Sequence, residues 1–295
     1  MPDPCLNPAG SLCPYRDLYI YYIDGTLKRG AVLPSDGFLG NWEEDRFSFL
    51  FFSKPSSEAV STLLQAHPNL ALLDRFHLTY EEWHGSEPAP FRVGNLNITF
   101  PWMNPNPESH SHDTILLDPG VVFGSGTHPT TRDCLSALNA LFEREKIETS
   151  VDLGTGSGLL ALAAARLGSR KNIAVDNNPL SAITARNNVS INGLEEAVLV
   201  IQGHAEDFVD CNSDLVIANI HFDVLKRILF SKGFFQKKWF ILSGLLRNEV
   251  QPALDMLTRS RAEIVKSWVH EGIWHTYLGR NGSKPVHFHF NTVKG

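Results

Sequence analysis

Residues 151–158 read Val-Asp-Leu-Gly-Thr-Gly-Ser-Gly, and this stretch decides the fold. A short apolar run breaks into a turn with glycine at every second position. The next segment, residues 157–167 (SGLLALAAARL), is rich in the strong helix formers Ala and Leu. Strand, glycine-rich turn and helix in that order open a βαβ unit. Glycine tolerates positive φ and carries no Cβ, so the backbone there can come close to a ligand. The spacing is G-x-G-x-G. Dinucleotide-binding folds use G-x-G-x-x-G to seat a pyrophosphate on the helix amino terminus, so the ligand expected here need not carry phosphate.

Downstream, strand-like segments at 172–176, 197–201, 214–218 and 239–242 continue the strand at 150–153 and alternate with helical stretches. That alternation predicts an α/β fold with a doubly wound parallel sheet. Pro179 suits the first turn of the second helix. Residues 263–270 and 273–280 flank Glu271-Gly272 and read as an antiparallel hairpin on the sheet edge, followed by a tail at 281–295.

Upstream, LYIYYI (18–23) and FSFLFF (47–52) read as strands, 56–67 as a helix and 70–78 as a further strand. Together they predict a smaller amino-terminal α+β domain over 1–102. The Pro-, Asn-, Ser- and His-rich stretch at 103–113 reads as a linker, and 114–280 as the second domain. The aromatic residues of the two strands are read as sheet core rather than as a base-stacking surface.

Composition narrows the function. In 295 residues, 43% are hydrophobic and 20% charged, with no long charge-free apolar run, so a membrane span is not expected. The amino terminus lacks the basic and apolar regions of a secretory signal, which favours the cytoplasm. Cys5, Cys13, Cys134 and Cys211 form no CxxC pair and are read as reduced thiols. His110, His112 and His128, and His287 and His289, are close in sequence without accompanying ligands, so no metal is expected. A net charge of −6 and no dense Lys/Arg block speak against direct nucleic-acid binding and suit a basic protein partner.

Three further segments carry chemistry. Asp176 falls at the end of the second strand, about 20 residues beyond the glycine turn, where a carboxylate can accept hydrogen bonds from ribose hydroxyls. Asn177 and Asn178 are better suited to capping the next helix. The loop Asp-Pro-Gly-Val-Val-Phe-Gly-Ser-Gly-Thr-His-Pro-Thr-Thr at 118–131 precedes an amphipathic helix, for which Thr130 is the expected cap with Asp133 at its third position. The strand at 214–218 runs into Asn219, on the edge where open α/β sheets bind ligands; an asparagine there both donates and accepts.

Taken together, DPGVVFGSGTHPTT, VDLGTGSG, Asp176, the Ala-Asn-Ile step at 218–220 and the terminal WHTYLGR at 274–280 resemble the PrmA family, the methyltransferases of large-subunit ribosomal protein eleven. Glu82-Trp83, Pro90-Phe91-Arg92-Val93-Gly94 and Pro101-Trp102 resemble that family's join between domains, so the resemblance covers 81–280. It implies a class I, Rossmann-like methyltransferase domain using S-adenosyl-L-methionine. Thr131, Gly154, Asp176 and Asn219 would be the cofactor ligands; for orienting the acceptor amine Asn219 and nearby backbone carbonyls are both candidates, and the sequence names no general base. It also implies a ferredoxin-like βαββαβ amino-terminal unit for the protein substrate, though residues 24–45 offer no convincing first helix. The implied activity is N-methylation of lysine side chains or an amino terminus of a basic ribosomal protein. The alternatives are another protein lysine or a small amine, or a methyltransferase-like fold kept as a non-catalytic interaction module. A nicotinamide-dependent oxidoreductase would share the glycine turn and Asp176 but calls for the other glycine spacing and leaves FGSGTHPTT without a role.

Overall fold

A computed structural model describes residues 13, 15–27, 36–85, 89–103 and 111–282. Its centre is a seven-stranded sheet made of β8 (Thr149–Leu153), β9 (Lys171–Asp176), β10 (Val198–Gln202), β11 (Leu215–Asn219), β12 (Trp239–Leu246), β13 (Glu263–His270) and β14 (Trp274–Arg280). The spatial order is β10-β9-β8-β11-β12-β14-β13. The first five strands are parallel, and β14 and β13 add antiparallel at the edge. The expected edge hairpin is therefore present, and Glu271 and Gly272 both take positive φ, as a tight hairpin turn requires.

Strand periodicity sends alternate side chains to opposite faces. Val151, Leu153, Val216, Ala218, Phe240 and Leu242 enter one core with α7 (Phe222–Phe230) and α8 (Arg247–Arg259). Leu215, Ile217, Trp239 and Ile241 enter the other with α3 (Pro129–Phe142) and α4 (Leu159–Arg166). Helices thus cover both faces, the doubly wound arrangement expected from the alternation. The chain winds outward in opposite directions from β8 and β11, which makes the gap beyond their carboxyl ends the switch point where such sheets bind ligands.

The amino-terminal sheet has the order β2-β3-β1-β4, from β1 (Asp17–Asp24), β2 (Phe38–Glu44), β3 (Phe47–Phe52) and β4 (Ala71–Thr79). α1 (Ser57–Ala66) joins β3 to β4 and covers one face through Val60 and Leu63. The four strands and α1 are the elements of a βαββαβ unit other than its first helix; residues 28–35, between β1 and β2, lie outside the described residues. β2 and the short helix α2 (Tyr80–His84) were not anticipated from the sequence, because Gly40 and Asn41 interrupt the strand pattern.

A three-stranded sheet of β5 (Phe91–Val93), β6 (Leu96–Thr99) and β7 (Thr114–Leu116) follows in the chain and packs Leu96, Ile98 and Ile115 into the core of α3 and α4. Its β6–β7 parallel pair joins residues on either side of the 103–113 stretch, of which 104–110 lie outside the described residues. So do Cys5, His110, His287 and His289 and most of the tail. Cys134 and Cys211 are free thiols. Among the described residues no helix is long and apolar enough to cross a membrane.

Candidate active site

β8 ends at Leu153, and the turn that follows is held by paired backbone bonds, since Gly154 N and Thr155 N both donate to Val175 O, at 2.8 and 2.9 Å. Gly154, Gly156 and Gly158 all adopt positive φ. A Cβ on Gly154 would come 2.1 Å from Ile220 Cγ2, and one on Gly156 would come 2.5 Å from Phe123 O. The turn is therefore glycine for two reasons, its backbone conformation and its contacts with the loops after β11 and before α3.

Asp176 closes this turn from the next strand. One carboxylate oxygen accepts from Gly156 N and the other from Asn178 N, each at 2.9 Å. Burial raises its pKa, and the two amide donors oppose that rise. Asn178 caps α5 (Pro179–Ile191) through Leu180 N at 2.9 Å, as anticipated, with Pro179 in the first turn. Below the turn, Asp152 is buried and accepts from Thr155 Oγ1 at 2.5 Å. Burial first, and then the Asp176 charge, push its pKa up to about 7.

The loop at 118–128 lies across the glycine turn. Ser157 N donates to Phe123 O at 3.0 Å, and Ser157 Oγ to Gly124 O at 2.7 Å. Asn188, fully buried in α5, fixes the other end: its Nδ2 donates to Asp118 O and to Ser157 O, and its Oδ1 accepts from Asp118 N, all at 2.8 Å. From above, Tyr80 Oη donates to Gly120 O at 2.9 Å, His84 Nε2 to the same carbonyl at 3.2 Å, and Trp83 Nε1 to Val121 O at 3.0 Å. The loop is thus tied to the glycine turn on one side and to the amino-terminal unit on the other.

The cap of α3 corrects the sequence reading. The helix begins at Pro129 and its cap is His128, whose Nδ1 accepts from Thr130 N at 3.4 Å; Thr130 lies inside the first turn. Proline at the first helical position, with φ already helical and no N–H to satisfy, moves the start two residues earlier than a threonine cap allows. His128 packs edge-on against Trp274 at 4.9 Å and against Phe123 at 5.5 Å. Burial, and next the charge of His270, lower its pKa.

These elements surround one cavity of about 1220 Å³. Of the four residues singled out for the cofactor, Gly154, Asp176 and Asn219 line it. Thr131 does not; the lining takes Thr130, while Thr131 is buried one position on, with its Oγ1 lacking a hydrogen-bond partner among the described residues. Residues the sequence reading passed over also contribute to the wall: His128 and Trp274 from the catalytic domain, and Trp42, Phe49, Phe76 and Trp83 from the amino-terminal unit. Strand register supplies the signal for the latter. Trp42 pairs with Phe49, and Phe51 with Ile20, so these side chains share one face of the sheet. Charged groups on the wall are Glu44, Glu82, Asp176, Glu206 and Arg227, and the arginine is taken up by Glu206 at 2.5 Å.

A glycine turn, a carboxylate at the end of the next strand and a polar strand end around a switch-point cavity define a class I methyltransferase domain. A family model described as ribosomal protein L11 methyltransferase (PrmA) matches residues 67–281, and the chain belongs to that family. It is 31% identical to the ribosomal protein L11 methyltransferase of Anoxybacillus flavithermus over 290 residues, covering 90% of this chain and 85% of that one. It is 33% identical to the one from Alkaliphilus oremlandii over 221 residues, 70% and 69% of the two chains. Among solved structures it resembles the ribosomal protein L11 methylase of Lactobacillus delbrueckii subsp. bulgaricus, with 25% identity and a TM-score of 0.52 over 64% of this chain and 96% of that one. The protein is a methyltransferase.

Proposed function

We propose that the chain transfers methyl groups from S-adenosyl-L-methionine to amino groups, on lysine side chains or an amino terminus, of large-subunit ribosomal protein L11 in the cytoplasm. One observation carries this reading: Gly154, Asp176 and Asn219, from three adjacent strand ends, meet on a single cavity roofed by the FGSGTHPTT loop. The names of the relatives support the acceptor, and so does the charge of the wall. With Arg227 paired to Glu206, the wall presents an excess of carboxylate, which suits a basic acceptor.

The lining suits the donor, because Gly154 and Gly156 border the cavity with backbone alone and Asp176 adds a carboxylate acceptor beside them. Gly154 borders the methionine part, Asp176 accepts from the ribose hydroxyls, and Asn219 frames the methyl-transfer side, while Thr131, buried behind the wall, is left without a ligand role. The donor supplies a methyl group on a sulfonium, ready for in-line displacement by a neutral amine. A free lysine has a pKa of about 10.4, so the site has to favour its deprotonated form, and partial burial does this. The Asn219 side chain accepts from and orients the amine, and positioning of donor against acceptor supplies much of the acceleration. Residues 1–102 serve acceptor recognition, 103–113 connect, and 114–280 carry out the transfer. Titration calorimetry with S-adenosylmethionine and S-adenosylhomocysteine, NAD serving as control, followed by methylation of purified L11, tests the reading. Donor binding without L11 methylation redirects the search to another amine; no donor binding removes the reading.

A further inference from the structure

The amino-terminal sheet meets the donor corner through β2, and that contact is built in detail. Gly40 lies so close to Leu180 that a Cβ would come 2.4 Å from its Cδ1. Two residues on, Trp42 packs with Leu39 into the cluster of Val121, Val122 and Leu180. Asn178 Nδ2 donates to Glu43 O at 3.3 Å. Asn178 is also the residue whose N–H binds the Asp176 carboxylate, so a continuous chain of hydrogen bonds runs from Asp176 through Asn178 to β2.

Side chains alternate along a strand, so Trp42 and Glu44 leave β2 on the same side as the Gly40 Cα–H that faces Leu180. Both line the cavity together with Asp176 and Asn177. The Trp42 ring is half-buried, and the Glu44 carboxylate is exposed. An indole offers a flat apolar face and a carboxylate offers only acceptors. With a second acceptor-only group, Asp176, on the wall of the same cavity, that pair matches a ligand with a planar ring and several N–H or O–H donors. A nucleoside has both.

We propose that β2 completes the donor site from the amino-terminal unit: Trp42 covers the nucleoside end of the donor, and Glu44 accepts a hydrogen bond from it. The donor is then held by both units of the chain. This assignment rests on the methyl-donor reading above and extends it to residues outside the methyltransferase domain.

The test is calorimetric, on the full chain, with S-adenosylhomocysteine and with adenosine as separate probes, for Trp42→Ala, Trp42→Phe and Glu44→Gln. Trp42→Ala should weaken both probes about tenfold, Trp42→Phe should restore most of that loss, and Glu44→Gln should weaken both about threefold. Glu44 is exposed, so its substitution does not threaten the fold. Wild-type affinity for both probes in Trp42→Ala and Glu44→Gln overturns the proposal while leaving the donor reading intact. A loss confined to S-adenosylhomocysteine, with adenosine bound as before, overturns the nucleoside placement. Failure of the unmodified chain to bind S-adenosylhomocysteine removes the donor reading itself, and this proposal with it.

Discussion

Asn188 offers the sharpest test of how the loop at 118–128 is held. Its amide satisfies three backbone groups at once, Asp118 N–H, Asp118 C=O and Ser157 C=O, each at 2.8 Å, and the side chain is fully buried. Replacing it with Ala removes three hydrogen bonds worth about 1 kcal/mol each in net terms and leaves the backbone groups desolvated, so the loss should be about 3–5 kcal/mol. That is a large fraction of an ordinary domain's stability. Urea unfolding followed by circular dichroism reads it as a lower midpoint at unchanged slope, and donor affinity should fall as well because the loop loses an anchor beside the glycine turn. Asn188→Asp sharpens the test. Above its carboxylate pKa it sets an oxygen against the carbonyls of Asp118 and Ser157, whereas a protonated carboxyl can donate to one of them, so this variant should recover part of its stability as pH falls. A midpoint within about 0.5 kcal/mol of wild type for Asn188→Ala would refute the reasoning.

Other substitutions probe the turn itself. Asp176→Ala should weaken S-adenosylhomocysteine binding at least tenfold, about 1.4 kcal/mol, and unchanged affinity by calorimetry removes its role as a ligand. Gly156→Ala adds a Cβ 2.5 Å from Phe123 O at a residue with φ of +55°, and thermal melts should show a loss of about 1–3 kcal/mol together with weaker donor binding. Asp152 has a folded-state pKa near 7, above its unfolded value of about 4, so the stability it contributes is present below pH about 4 and is lost as pH rises toward 7. Asp152→Asn keeps an acceptor for Thr155 Oγ1 and cannot ionise; its unfolding midpoint should therefore gain on wild type between pH 5 and 8, and a constant gap across that range would rule the effect out.

The parallel sheet, its edge hairpin and the glycine turn were legible because each rests on a local signal: glycine spacing, an apolar strand next to an Ala/Leu helix, or Glu271-Gly272 between two alternating runs. Strand ends are positioned by the sheet, so Gly154, Asp176 and Asn219 could be placed on one edge before any coordinates. What stayed hidden depends on distant pairing. The Asn188 network joins segments 31 and 70 residues apart, and the Tyr80, Trp83 and His84 contacts with the loop span 36–40. Asn139 and Asn188 did leave a trace. Asparagine is a weak helix former, and finding it among the buried positions of a helix signals a side chain engaged with backbone elsewhere. The cap of α3 was misjudged because Pro129 outweighs the threonine preference. β2 was overlooked because the glycine that breaks its pattern is the one that lets it approach α5.

The DPGVVFGSGTHPTT loop makes both its contacts with the amino-terminal unit and its contacts with the glycine turn through its backbone, and this explains its composition. Phe123 O and Gly124 O accept from Ser157 below, while Gly120 O and Val121 O accept from α2 above. A segment that presents carbonyls to both sides within a few residues must reverse direction repeatedly, and Gly120, Gly124 and Gly126 take the positive φ angles that permit it. Gly126 serves packing as well, since a Cβ there would come 2.2 Å from Phe91 Cζ of β5. Substitutions in α2 that remove a donor, such as Trp83→Phe, therefore act on the same loop as substitutions in the glycine turn, and the two sets should be energetically coupled in a double-mutant cycle even though their side chains belong to different units.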